Sequence, residues 1–228
     1  MTLNVNGTEM TLVNVNGTRM SVVNVNGTEV YRAENGNVTL IYGGGSGSFS
    51  PGIEDVNRHF VAACTRFSGS GLGFPSAPSI NGVTMNTITS GVDNKLGDGG
   101  ITGIYTLKIP TGTSSLSISI ASFTYVALYR VTGIYSMTSA ISSGTSGSAI
   151  SGSVSSSSNG CFFGASVQNF GQPSYPSPSI GSLQYGTDGG GGTQGRMGAT
   201  NATTGPTQSI NLDGNQINSY ATFGYDLY

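Results

Sequence analysis

The stretch Thr2–Thr28, TLNVNGTEMTLVNVNGTRMSVVNVNGT, carries the core NVNGT three times, beginning at Asn4, Asn14 and Asn24. A two-residue hairpin turn of type I′ needs positive φ at both central positions, and Asn followed by Gly meets that need at the lowest steric cost. The dipeptide falls at Asn6-Gly7, Asn16-Gly17, Asn26-Gly27 and Asn35-Gly36, each time between runs rich in Val, Thr, Met and Tyr. The pattern predicts a β-meander of five strands over residues 2–5, 8–15, 18–25, 28–34 and 37–42.

Side chains alternate along a strand, so Met10 and Leu12 share one face of residues 8–15 while Val13 and Val15 share the other. Pairing through the turn at Asn16-Gly17 would set Val23 beside Met10 and Met20 beside Val13. Each face of the sheet then carries apolar residues, drawn from Met10, Leu12, Val13, Val15, Met20, Val22, Val23 and Val25. A small antiparallel sheet normally leaves one face polar. These residues are therefore an expected assembly face, packed against identical copies or another protein; the alternative is that the following domain covers one patch and solvent meets the other.

Asn6, Asn16, Asn26, Asn37 and Asn201 also open Asn-X-Thr patterns that could accept a glycan. The first residues have neither a basic region nor an apolar run of the kind that opens a secretory signal, so the turn reading is preferred. No apolar run is long enough to span a bilayer, and membrane insertion is not expected. Charged residues make up 8% of the 228-residue chain and the formal net charge is −2, without a lysine or arginine cluster. Nothing there builds the positive field that nucleic acid requires. With 36% apolar residues a core can form, and 37 glycines and 8 prolines without a three-residue period favour a turn-rich all-β protein over collagen.

Residues 1–43 thus read as an attachment or oligomerisation module, and the Gly/Ser-rich residues 44–52, closing in Ser50-Pro51-Gly52, as a linker. A second domain is expected over residues 53–228. Its predicted strands are His59–Phe67, Pro78–Asn86, Gly103–Ile109, Ser115–Ala121, Thr124–Gly133, Cys161–Gln168 and Tyr220–Tyr228. Many short strands divided by Gly, Ser and Asn clusters point to a jelly-roll-like β-sandwich.

The order INGVTMN, GIYTLKIPTGTSSLSISIA, YVALYRVTG and, after a Ser/Thr-rich segment, GCFFGASVQN resembles a β-sandwich domain of tailed-phage virion proteins. The residues that carry the resemblance are Asn81, Gly82, Pro110, Thr111, Gly112, Thr113, Arg130, Thr132 and Gly133. It covers residues 57–168, with a weaker match in the last strand; residues 170–218 depart from it. The N-terminal repeats look like the short modules that open many phage tail and fibre proteins. The resemblance implies an accessory structural protein of the virion, often homotrimeric, assembled in the host cytoplasm and held by other virion proteins.

None of these motifs is catalytic, and the chain is not expected to be an enzyme. The single histidine, His59, begins a predicted strand without a nucleophile motif nearby. Glu54 and Asp55 are adjacent and project differently, unlike the facing carboxylates of a glycosidase such as a depolymerase spike. Asp93 and Asp98 lack EF-hand spacing, and no metal or other cofactor is expected. Cys64 and Cys161 are expected as buried free thiols, a disulfide being the alternative if their strands are neighbours. Between Gln168 and Thr207, aromatic residues stand among Gly, Ser and Gln on what reads as long loops, and Tyr175, Tyr185, Gln194 and Arg196 are candidate contacts to a host-surface glycan. Three functions remain open: a fibre, spike or tail-decoration protein, a capsid decoration or cement protein, and a carbohydrate-binding adhesin.

Overall fold

The structure is a computed structural model that describes residues 3–5, 8–10, 14–15, 18–19, 22–25, 28–32, 37–55, 58–67, 76–93, 100–120, 123–132, 134–137, 141–144, 147–155, 159–169, 183–189, 193–199 and 207–227. All regular elements among them are strands. The repeats give β1 (Leu3–Val5), β2 (Thr8–Met10), β3 (Asn14–Val15), β4 (Thr18–Arg19), β5 (Val22–Val25) and β6 (Thr28–Arg32). They are followed by β7 (Asn37–Gly44), β8 (Gly47–Phe49), β9 (His59–Phe67), β10 (Ser79–Ile80), β11 (Val83–Thr84), β12 (Asn86–Asp93), β13 (Gly100–Lys108), β14 (Leu116–Ser119) and β15 (Tyr125–Thr132). The C-terminal part adds β16 (Ile134–Met137), β17 (Ile141–Gly144), β18 (Gly147–Ser155), β19 (Asn159–Asn169), β20 (Leu183–Gly189), β21 (Thr193–Ala199) and β22 (Thr207–Leu227).

Three layers stack around two cores. The middle layer is a five-stranded antiparallel sheet of order β12-β13-β9-β15-β7, and the layer on one side is a four-stranded sheet of order β11-β10-β14-β8. On the other side lies the sheet β16-β22-β19-β21-β20, to which β17 and β18 add by pairing with β22. The pairs of the first two layers are nested: β7 with β15, β8 with β14, β9 with β13, and β10 with β11.

The sequence of β9, HFVAACTRF, explains why this strand is central. Phe60, Ala62 and Cys64 enter the core shared with the four-stranded sheet, whereas Val61 and Ala63 enter the core shared with β19 and β21. A strand buried on both faces needs small or apolar residues at every position, and β9 supplies them from residue 60 to 64. β15 repeats the device, with Val126 and Leu128 on one side and Ala127, Tyr129 and Val131 on the other. Aromatic pairs join the layers: Phe49 meets Phe60 edge to face at 5.4 Å, and Tyr129 meets Phe163 of β19 at 5.4 Å.

Asn81-Gly82 shows the Asn-Gly turn chemistry. Both residues have positive φ, 48° and 79°, and they join Ile80 to Val83 as the two-residue hairpin loop requires. The repeats obey the same register, Val5 opposite Thr8, Val15 opposite Thr18 and Val25 opposite Thr28. They form three separate two-stranded ladders, however, and among the described residues none of β1–β6 pairs with a strand outside its own hairpin. The residues that would join these ladders into the expected continuous meander, 11–13, 20–21 and 33–36, lie outside the described residues.

Two further differences concern boundaries. β7, expected as the last strand of the repeat module, pairs with β15 along residues 37–44 and belongs to the middle sheet. Residues 44–52, expected as a linker, contain β8, whose Phe49 is buried in the core and pairs with Leu116. Glycine there serves a tight crossing between two sheets instead of a flexible tether.

Candidate functional site

The densest polar arrangement among the described residues surrounds Arg58, a residue with 0% of its surface exposed. It stands just before β9 and shares the inward face of Phe60, so its guanidinium ends at the rim of the core under two chain segments. Nε donates to the Ile109 carbonyl at 2.7 Å. One terminal nitrogen donates to the carbonyls of Gly52 at 3.3 Å and Ile53 at 2.8 Å; the other donates to those of Thr111 at 2.9 Å and Gly112 at 2.8 Å. A guanidinium has five N–H groups, and here each has a carbonyl. The Phe60 ring lies beneath it, 5.5 Å from Cζ to the ring centroid.

The neighbouring backbone is tied in as well. Asp55 N donates to the Pro110 carbonyl, Arg58 N to the Asp55 carbonyl, and Ile109 N to the Arg58 carbonyl. A Glu54 carboxylate oxygen accepts from Gly112 N at 2.6 Å. Gly52 has φ +72°, and a Cβ there would run into the Arg130 guanidinium. Burial pushes the Arg58 guanidinium below its ordinary value, Glu54 acts in the opposite direction, Arg130 adds to the lowering and Asp55 opposes it. With all five donors engaged inside the protein, none is left for a phosphate or carboxylate ligand. The arrangement is a clasp, and it accounts for Pro110, Thr111 and Gly112, three residues of the turn noted in the sequence.

Sequence reasoning did not find this clasp. A lone arginine before a strand reads as a surface charge; the signal that was present is the pairing of Pro-Gly at 51–52 with Pro-Thr-Gly at 110–112, two irregular segments rich in accessible carbonyls. The adjacent Glu54 and Asp55 both stand at it, Glu54 through its carboxylate and Asp55 through its main chain.

The expected site residues are distributed as follows. Met10 lies in β2, Val15 in β3 and Val22, Val23 and Val25 in β5. Met10 is opposite Leu3 and Val23 opposite Tyr31, and among the described residues no ladder joins β2 to β5. Leu12, Val13 and Met20 lie outside the described residues, as do Asn6, Gly7, Asn16, Gly17, Asn26, Gly27, Asn35, Gly36 and Tyr175.

The expected glycan loop is largely sheet: Tyr185 lies in β20, and Gln194 and Arg196 in β21. Tyr185 is in register with Met197, whereas Arg196 is opposite Gly186 and Gln194 opposite Asp188. The Gly-rich sequence hid two strands because most of their positions carry no apolar alternation, yet Met197 and Ala199 are buried against the middle sheet.

Cys64 is a buried free thiol, and burial pushes it well above its ordinary value. It faces the four-stranded sheet, while β19, which carries Cys161, packs on the opposite side of β9. Tyr105 is fully buried against Phe123, its hydroxyl without a hydrogen-bond partner among the described residues, and burial raises its pKa. Among the described residues no group of three His, Cys, Asp or Glu side chains is placed to hold a metal, and no helix is long and apolar enough to cross a membrane.

Comparison of the chain with protein-family models, with curated proteins and with solved structures finds no match in any of the three.

Proposed function

We propose that this chain is a structural protein of a tailed-phage virion, of fibre, spike or tail-decoration type, that docks and oligomerises through its N-terminal hairpins and displays the layered β-domain. The observation that carries the reading is that, among the described residues, each repeat hairpin pairs only within itself. A two-stranded hairpin alone is marginal in water and needs a further strand or a packing partner. Three such units in series, beside a domain whose own sheets are already layered, form a device for binding something else.

Two features support the proposal. The nested pairing of β7–β15, β8–β14, β9–β13 and β10–β11 is that of a rolled-up hairpin, which supports a jelly roll with β12 as an added edge strand, an architecture used in viral capsid proteins. In the hairpins, Glu9, Arg19 and Glu29 occupy equivalent register positions, opposite Asn4, Asn14 and Asn24. Like hairpins meeting in register would oppose like charges; a contact offset by one repeat pairs Arg19 with Glu9 or Glu29. The pattern favours contacts between different hairpins of neighbouring copies.

Light scattering on the full chain tests the proposal. A homotrimer gives three times the 23.2 kDa chain mass, and the triple variant Gly7→Val, Gly17→Val, Gly27→Val gives a folded monomer, because Val does not adopt the positive φ of the turn. A native chain that is monomeric and binds naked phage heads would favour the capsid-decoration role. A monomer that binds neither heads nor tails would overturn the proposal.

One observation favours the adhesin as a second reading. The outer face of the four-stranded sheet is an uncharged hydroxyl array, with Ser48 opposite Ser117 and Ser79 between Ser119 and Thr84. Binding of the full chain to a panel of bacterial surface polysaccharides, lost on replacing Ser119 and Thr84 by Lys, is the expected result for an adhesin; no binding excludes it.

A further inference from the structure

Two arginines meet beside Gly52, and the fold treats them differently. Arg58 has a main-chain carbonyl for each of its five N–H groups. Arg130, half-buried on β15, has a single hydrogen bond, in which one terminal nitrogen donates to Thr39 Oγ1 at 3.4 Å. Among the described residues no Asp or Glu carboxylate pairs with it. A partly desolvated guanidinium with unused donors is well suited to an oxyanion, because its planar fork offers two parallel N–H bonds to one carboxylate.

The backbone fixes where that fork lies. Arg130 is in register with Phe60 on one side and Thr39 on the other, and it projects from the face of β15 that also carries Leu128. Its Nη1 rests so close over Gly52 that a Cβ there would collide with it. Glycine at 52 thus lets the guanidinium lie against the chain, while Thr39 steadies the other terminal nitrogen. The Thr39 hydroxyl accepts in that bond, which leaves its own proton to donate. Two kinds of donor therefore stand side by side between β7 and the segment that leaves β8.

Charge decides which anion fits. The charges acting around Arg58 are those of Arg130, Glu54 and Asp55, so two cations and two carboxylates share this end of the domain. One further negative charge is matched by the open fork, whereas a phosphate dianion would bring two toward a pair of carboxylates already present. We infer that Arg130 and Thr39, over the floor made by Gly52, form a binding site for a single carboxylate group, either of a small organic acid or of a uronic sugar. The site belongs to the β-domain and stands whether or not the N-terminal hairpins dock.

The test is an NMR titration of the ¹⁵N-labelled full chain at constant ionic strength with sodium acetate, sodium glucuronate, glucose and inorganic phosphate, following the Thr39 and Gly52 amides. Saturable shifts are expected with both carboxylates, none with glucose, and weaker binding of phosphate. Arg130→Gln should weaken acetate binding about tenfold, as loss of a charge-assisted hydrogen bond does. Arg130→Lys, which keeps the charge without the fork, should restore only part of it. Thr39→Val should weaken binding severalfold, and it carries the test if the Arg130 variants do not fold. Equal affinity for acetate and glucuronate supports a site that reads the carboxylate alone, and tighter glucuronate supports an acidic sugar as its source. Shifts that do not saturate, unchanged affinity in the folded variants, or phosphate binding tighter than either carboxylate would overturn the inference.

Discussion

The hairpins of β1–β6 and the hairpin β10–β11 share one pairing register and differ in what surrounds them. Both close a two-residue Asn-Gly loop with the same register. At β10–β11 the turn residue Asn81 is bonded to a third strand, and Ile80 beneath it is fully buried. In the repeats, among the described residues, no third strand joins the ladder. A turn signal thus specifies which residues face each other, while what they are worth is set by the layers stacked on them.

The contrast can be broken or sharpened experimentally, beginning where the largest effect is expected. Arg58→Ala leaves five carbonyls without their donor, and urea unfolding of the β-domain should lose on the order of 5 kcal/mol, since each unsatisfied buried group costs about 1–3 kcal/mol and some will be rehydrated. Arg58→Lys, with three donors in place of five, should recover part of that loss. Leu128→Ala, in the core between the middle and four-stranded sheets, should cost about 3 kcal/mol. Gly52→Ala combines a positive φ with collision against Arg130, and a loss of about 2 kcal/mol is expected.

A pH series follows. Cys64, Tyr105 and Tyr129 are all raised by burial above ordinary values of 9.0, 10.0 and 10.0. The folded state then holds protons that the unfolded chain releases, so stability is full below pH 9, and falls as the pH climbs through those values toward the raised ones. Unfolding free energies measured across that range should decline; a flat profile would show that these groups ionise without cost where they sit. The smallest effect belongs to the hairpins: Gly7→Val, Gly17→Val and Gly27→Val together should change unfolding of the β-domain by less than about 0.5 kcal/mol. A large change would mean that the two regions are one cooperative unit and that the contrast fails. Arg19→Glu should lower the solution mass at low salt if offset hairpin contacts hold copies together.

How much could be read from the chain alone varied with burial. β9 falls where its apolar run placed it, His59–Phe67, because burial on both faces writes itself into every residue. β15 is within a residue of expectation at each end for the same reason. β12, NTITSGVD, and the β20–β21 pair were missed, since their sequences are polar or Gly-rich and their strands exist through pairing with β13 and β19. The Arg58 clasp was missed for a different reason: its partners are main-chain carbonyls, which every residue has, and only the fold selects which five arrive.

That clasp spans the chain. The bonds from Arg58 to Ile109, Thr111 and Gly112 close intervals of 51 to 54 residues. They lie just beyond the end of the β9–β13 ladder, where His59 is opposite Lys108, and the β7–β15 ladder outside them closes a wider loop still. Folding of this domain therefore has a high contact order and should be slow, in the range of milliseconds to seconds typical of non-local β topologies. In a refolding experiment, protection of the Ile109 amide, bonded to the Arg58 carbonyl, would mark the moment at which the sandwich shuts.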